Sequence, residues 1–132
     1  MRARGLGFIS RLGMGLAAVP LAAGVLAAAS GAAGAHAIVI ASVPGDDAKV
    51  AGPMVPVELR FNSRIDQERS RLSLMLPDHS LHPVALAPDK RPDHLSATLR
   101  DLAPGSYHLR WQVLAVDGHL TRGDIPFTVT AP

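Results

Sequence analysis

The chain has 132 residues, with 13 Lys+Arg against 11 Asp+Glu, six His and no Cys. That length accommodates one domain, and the lack of Cys excludes a disulfide framework, a thiolate metal site and a cysteine nucleophile. Arg2, Arg4 and Arg11 supply the whole basic surplus: residues 36–132 keep ten basic against eleven acidic side chains, so nucleic acid is not an expected partner.

In chain order, residues 1–35 read as a secretory leader. Positive charge runs to Arg11, an uncharged stretch of Ala, Leu, Gly and Val follows from Leu12 to Ala29, and small residues fill Ser30 to Ala35. The apolar stretch is long enough for a retained membrane anchor. Its Ala and Gly content, the interruptions at Pro20 and Gly24 and the small-residue ending favour cleavage instead. No Arg-Arg pair precedes it, which points to the general secretory route. Two cleavage sites fit the pattern. Cutting after Ala33-Gly34-Ala35 makes His36 the new N-terminus; cutting after Ala35-His36-Ala37 discards it. The expected division is a leader over 1–35 and one exported domain over 36–132.

Beyond the leader, apolar residues recur with period two, the signature of half-buried strands. Ile38–Ala41 opens the series. Val55, Val57, Leu59 and Phe61 alternate with Pro56, Glu58 and Arg60, and Leu72, Leu74 and Leu76 with Ser73 and Met75. Leu81–Leu86 is a weaker candidate. Leu95, Ala97 and Leu99 form the next set; then Tyr107, Leu109, Trp111 and Val113; then Ile125, Phe127 and Val129. Pro44-Gly45-Asp46, Gly52-Pro53, Pro77-Asp78, Pro88-Asp89, Pro92-Asp93 and Pro104-Gly105 supply turns between them. The polar stretch Ile65–Arg71 is expected to be an exposed loop or short turn. Seven short strands predict an all-β, Greek-key sandwich or barrel. Leu102 to Tyr107 resembles the tyrosine corner of immunoglobulin-like sandwiches, which makes Tyr107 structural. Trp111, on the same face, belongs to the core.

Chemistry-bearing residues are few. Asp117-Gly118-His119 follows the longest strand, and a bend at Gly118 can bring a carboxylate and an imidazole together. Alone, that triplet is more often a solvated turn than a site. A terminal His36 changes the weighing, because its amine and ring nitrogen chelate one ion. The amine's ordinary pKa of about 7.7–8.0 lets a metal displace the proton near neutral pH. His36, Asp117 and His119 then offer three nitrogens and an oxygen, a set that favours Cu(II), with Zn(II) and Ni(II) as competitors. His79 and His82 lie in a Pro-rich turn, where a second site is a minor alternative. His94 is expected to start a strand, and His108 to face solvent. Met54 and Met75 stand apart, so no thioether cluster for Cu(I) is expected.

Together these features resemble the CopC family of periplasmic copper-resistance proteins. The matching pieces are His36-Ala37 after a leader, Ser42-Val43-Pro44, Val57 to Phe61, Leu102 to Tyr107, and above all Arg110 to His119 followed by Gly123 and Phe127 to Val129. The resemblance implies a seven-stranded barrel or sandwich of cupredoxin-like or immunoglobulin-like character. It implies one Cu(II) ion held by His36, Asp117 and His119, and an inner-membrane transporter of the CopD type as partner. The missing Met-rich loop places the chain with the Cu(II)-only branch. Ala115-Val116 stands where a Ser is common two positions before the Asp. A monomeric, non-enzymatic copper carrier is the leading expectation. An oxidative copper enzyme and a metal-free immunoglobulin-like scaffold are the alternatives.

Overall fold

A computed structural model of the protein describes Gly15 and residues 36–132; the expected leader therefore lies outside the described residues. Among the described residues eight strands form: β1 (Val39–Val43), β2 (Ala48–Ala51), β3 (Val55–Phe61), β4 (Ile65–Met75), β5 (Leu81–Val84), β6 (His94–Leu99), β7 (Gly105–Ala115) and β8 (Leu120–Thr130). They build two sheets, β1-β3-β6 and β2-β8-β7-β4-β5. The chain crosses between the sheets after β1, β2, β3, β5 and β6. The all-β sandwich expected from the alternation is therefore present. It has eight strands rather than seven, and its two sheets do not close into a barrel.

The period-two pattern does its work at the interface between the sheets. In β3 every odd residue from Val55 to Phe61 is buried and every even one exposed. In β7 Tyr107, Leu109, Trp111, Val113 and Ala115 point inward. Phe61 meets Trp111 edge to face across the sandwich at 5.4 Å between ring centres, a favoured aromatic geometry. The indole also lies across β8: a Cβ built on Gly123 would stand 2.3 Å from Trp111 Cζ2, so only glycine leaves room there. Tyr107 is a tyrosine corner as expected, its hydroxyl donating to the Ala103 carbonyl at 2.7 Å.

Two elements differ from the sequence reading. β2 is too short to show a period, and it forms by pairing parallel with β8, Ala48 opposite Phe127 through Ala51 opposite Thr130. The polar stretch Ile65–Arg71 is not a loop but the first half of β4. Its register with β7 slips between Asp66 (opposite Leu114) and Arg71 (opposite Gln112), which marks a large bulge. Ser70 closes the gap. It is buried, its hydroxyl donates to the Asp66 carbonyl at 2.6 Å and accepts from the Leu114 N–H at 3.3 Å. A side chain thus replaces the missing ladder bonds, and a sequence without alternation can still run as a strand.

Candidate metal centre

The candidate ligands gather where the β7–β8 hairpin meets the segment leading into β1. The hairpin rests on a long ladder, with β7 and β8 in continuous register from Gly105 opposite Val129 to Leu114 opposite Leu120. Its tip closes with Gly118 N–H on the Ala115 carbonyl at 2.9 Å and Ala115 N–H on the His119 carbonyl at 2.8 Å. Gly118 has φ of 90°, a conformation that L side chains rarely adopt. The bend turns Asp117 back on His119. One carboxylate oxygen accepts the His119 N–H at 3.1 Å, and the other stands 3.1 Å from His119 Nδ1. The backbone N–H of His119 is the main reason the Asp117 carboxyl is held below its ordinary pKa; the His119 ring, and the charge interactions with His119 and His36, add to it. Asp117 is therefore anionic at neutral pH.

His36 reaches the hairpin from the other sheet. The segment His36–Ile38 precedes the β1 ladder, which begins with Val39 opposite Phe61. Two fixings hold it. Ala37 is 0% exposed. Asn62 grips Ile38 from both sides: Asn62 Oδ1 accepts the Ile38 N–H at 2.8 Å, and the Asn62 N–H donates to the Ile38 carbonyl at 2.9 Å. The His36 ring then stands edge to face with the His119 ring, 5.2 Å between centres. An M–N bond of about 2.0 Å puts an imidazole centre about 3.2 Å from its ion, so rings at this separation can share one. Among the described residues no three His, Asp or Glu side chains already form a ligand cage. The contacts are pairwise: the His36 ring stands against the His119 ring, and the Asp117 carboxylate against His119 Nδ1.

The remaining histidines make other contacts. His82 Nε2 lies 3.0 Å from Ser80 Oγ, and His79 occupies a left-handed turn position, φ 68°. His108 Nδ1 faces Asp124 at 3.1 Å and is half-exposed. His94 opens β6 as expected but is buried, with Nδ1 on Asp93 and Nε2 3.6 Å from Glu58. Asn62 is the functional candidate that reading the sequence missed. Nothing local marks it, because its partner lies 24 residues away.

Comparison with known proteins follows this architecture. The CopC domain model matches residues 39–130, a span that includes Asp117 and His119 and starts just after His36. Copper resistance protein C of Xanthomonas campestris pv. juglandis is 30% identical over 109 residues, covering 76% of this chain and 85% of that protein. The crystal structure of CopC from Methylosinus trichosporium OB3b superposes with a TM-score of 0.66 at 28% identity, over 73% of this chain and 95% of that one. PcoC, described as a methionine-rich copper resistance protein from Escherichia coli, superposes at 0.60 with 31% identity, over 73% of this chain and all of that one (100%). With a domain match from β1 to the last residue of β8, the chain belongs to the CopC family.

Proposed function

We propose that the domain acts in copper homeostasis outside the inner membrane, binding one Cu(II) ion through the amine and ring of His36, Asp117 and His119. The observation that carries this reading is the approach of the His36 and His119 rings to 5.2 Å beside a carboxylate kept ionised. Nitrogen donors with one oxygen suit Cu(II) best among the divalent ions. Relatives named for copper resistance support copper over zinc or nickel. The two methionines of residues 36–132 favour the oxidised ion: Met54 is exposed before β3 and Met75 ends β4, so the pair offers no clustered thioether site.

On this reading the leader over 1–35 is removed in the periplasm, freeing the His36 amine. Asp117 supplies charge that needs no proton removed, while the amine and the rings must be neutral to bind. The protein holds its cargo with its own donors and needs no substrate face, which fits a carrier or store better than an enzyme. A monomer handing copper to an inner-membrane transporter of the CopD type completes the proposal.

The test combines intact mass of the exported protein, with and without copper, and competition titration against a chromophoric chelator. The exported protein is compared with a form carrying one extra residue before His36 and with His119→Ala. The expected mass corresponds to a chain starting at His36 plus one copper. Both variants bind more weakly, and the extension is the worse, since it removes the amine and the chelate together. Equal affinity in all three, or an exported chain starting at Ile38, overturns the assignment.

A further inference from the structure

The outer face of the five-stranded sheet carries charge that the copper reading does not use. Arg71 and Ser73 of β4, Arg110 and Gln112 of β7, and Arg122 and Asp124 of β8 line a shallow cleft of about 460 Å³. The ladder puts them in two neighbouring rows. Arg71, Gln112 and Arg122 are directly opposite one another across β4, β7 and β8, and Ser73, Arg110 and Asp124 form the next row. Arg110 is thus the diagonal neighbour of both other arginines, at about 7–8 Å. Arg71 and Arg122, two strands apart, are separated by about 9.5 Å. Asp124 is the one carboxylate lining the cleft, and it is already engaged by Arg110 Nε at 3.1 Å and by His108. Arg122 Nε is held on Gln112 Oε1 at 2.9 Å. Among the described residues neither Arg71 nor Arg122 pairs with a carboxylate.

Like charges clustered on one sheet face repel, and natural sheets usually answer them with opposite charges on the same face. Here three guanidinium groups meet one carboxylate, in a domain whose acidic residues otherwise outnumber its basic ones. We infer that this face docks an extended acidic segment of a protein partner, with carboxylates at alternate positions seated on Arg71 and Arg122. The spacing admits that occupant. Alternate side chains of an extended strand lie about 6.6–6.8 Å apart on one face, within reach of two forks separated by about 9.5 Å on long flexible stems. Guanidinium groups take carboxylates through two parallel bonds, so the geometry as well as the charge is read. The occupant is not the chain's own leader, because no acid precedes Asp46. Leu81 is the only large aliphatic side chain in the cleft lining, while Leu114 and Leu120 form the next row toward the hairpin tip, so a membrane surface that uses them is the competing occupant read by the vesicle arm below. Arg122 is three residues from His119, so a partner held here sits beside the hairpin tip; only that consequence depends on the copper assignment.

The test uses the exported protein without copper, so docking and metal binding fail separately. A synthetic peptide with Glu at alternate positions is titrated while backbone amide resonances are followed by NMR. A second peptide of the same composition spaces its Glu residues three apart, so that neighbouring carboxylates fall on opposite faces of an extended strand, and vesicles of anionic and neutral phospholipid form a third arm. The alternate peptide is expected to shift resonances of Arg71, Gln112 and Arg122, and to bind more weakly as salt is raised. Arg71→Ala with Arg122→Ala is expected to weaken it by at least about tenfold, with the thermal unfolding midpoint unchanged because both side chains are on the surface. Arg100→Glu, on a loop away from the cleft, controls for net charge and leaves affinity nearly as it was. No peptide binding, equal loss in Arg100→Glu, equal affinity for the two peptides, or arginine-dependent binding to anionic vesicles alone overturns the inference.

Discussion

Replacing Asn62 by Ala tests how the His36 end of the site is held. Among the described residues Asn62 makes no hydrogen bond to His36 or to the hairpin ligands; it acts on Ile38, two residues along the chain from His36. The substitution removes the 2.8 Å bond from Ile38 N–H to Oδ1 and leaves the backbone bond from Asn62 N–H to the Ile38 carbonyl. A net hydrogen bond of this kind is worth about 0.5–1.5 kcal/mol. If the whole of it goes into keeping His36 docked on His119, Cu(II) affinity falls by roughly 2- to 13-fold. That is an upper range, since Ala37 stays buried and continues to anchor the segment. Competition titration gives the affinity, and the electron paramagnetic resonance spectrum of the Cu(II) form reports whether the donor set is kept. The expected outcome is a modest affinity loss with an unchanged copper spectrum and a melting temperature lowered by a few degrees. A loss of several orders of magnitude with an altered spectrum would mean that Asn62 itself meets the ion. A lowered melting temperature at constant affinity would mean that the clamp serves the fold alone. Either result refutes the positioning argument.

Gly123→Ala drives a methyl group against the indole of Trp111, where the built Cβ stands 2.3 Å from Cζ2 and 2.4 Å from Cε2. Overpacking of this kind costs about 1–3 kcal/mol; chemical denaturation gives the loss, and fluorescence of the single Trp reports the displaced ring. Asp89 sets an acid limb. Its carboxylate takes two bonds from the Arg91 side chain and one from Ser96 Oγ, and its carboxyl is held far below the usual range, with Arg91 as the leading cause. A depressed folded pKa means that this group's contribution is complete above the ordinary carboxylate value, about 3.9, and is lost as pH falls below it. Asp89→Asn should therefore destabilise the protein at pH 7 and flatten the dependence of its unfolding midpoint between pH 5 and 2. An unchanged acid limb would show that Asp89 is not its source.

The alternation of side chains made much of the fold legible. β3 emerged with the boundaries the pattern implied, and β6, β7 and β8 were recognisable from their buried faces. What escaped was settled by partners distant in sequence. Ala48–Ala51 becomes a strand because β8 offers it a parallel edge. Ile65–Arg71 extends because Ser70 supplies hydrogen bonds that the bulge removes. The site divides in the same way. Asp117, Gly118 and His119 are neighbours, so their spacing alone suggested a clustered carboxylate and imidazole. The meeting of His36 with His119 joins residues far apart in the chain, and the sequence suggested it only on the condition that cleavage makes His36 a chelating terminus, a condition the family resemblance reinforced. Asn62 and the arginine rows depend on register, which an isolated sequence does not display.

The two halves of the candidate site differ in how firmly each is mounted. Asp117 and His119 ride on the joined ends of the longest strand pair, whereas His36 hangs on three residues outside the ladder, with one buried methyl group and one amide for support. The arrangement is a clasp with one fixed jaw and one hinged jaw. An ion caught between them would leave by the swing of the hinged side, which makes release a property of the few contacts around Ala37 and Ile38 and leaves the remainder of the sandwich at rest.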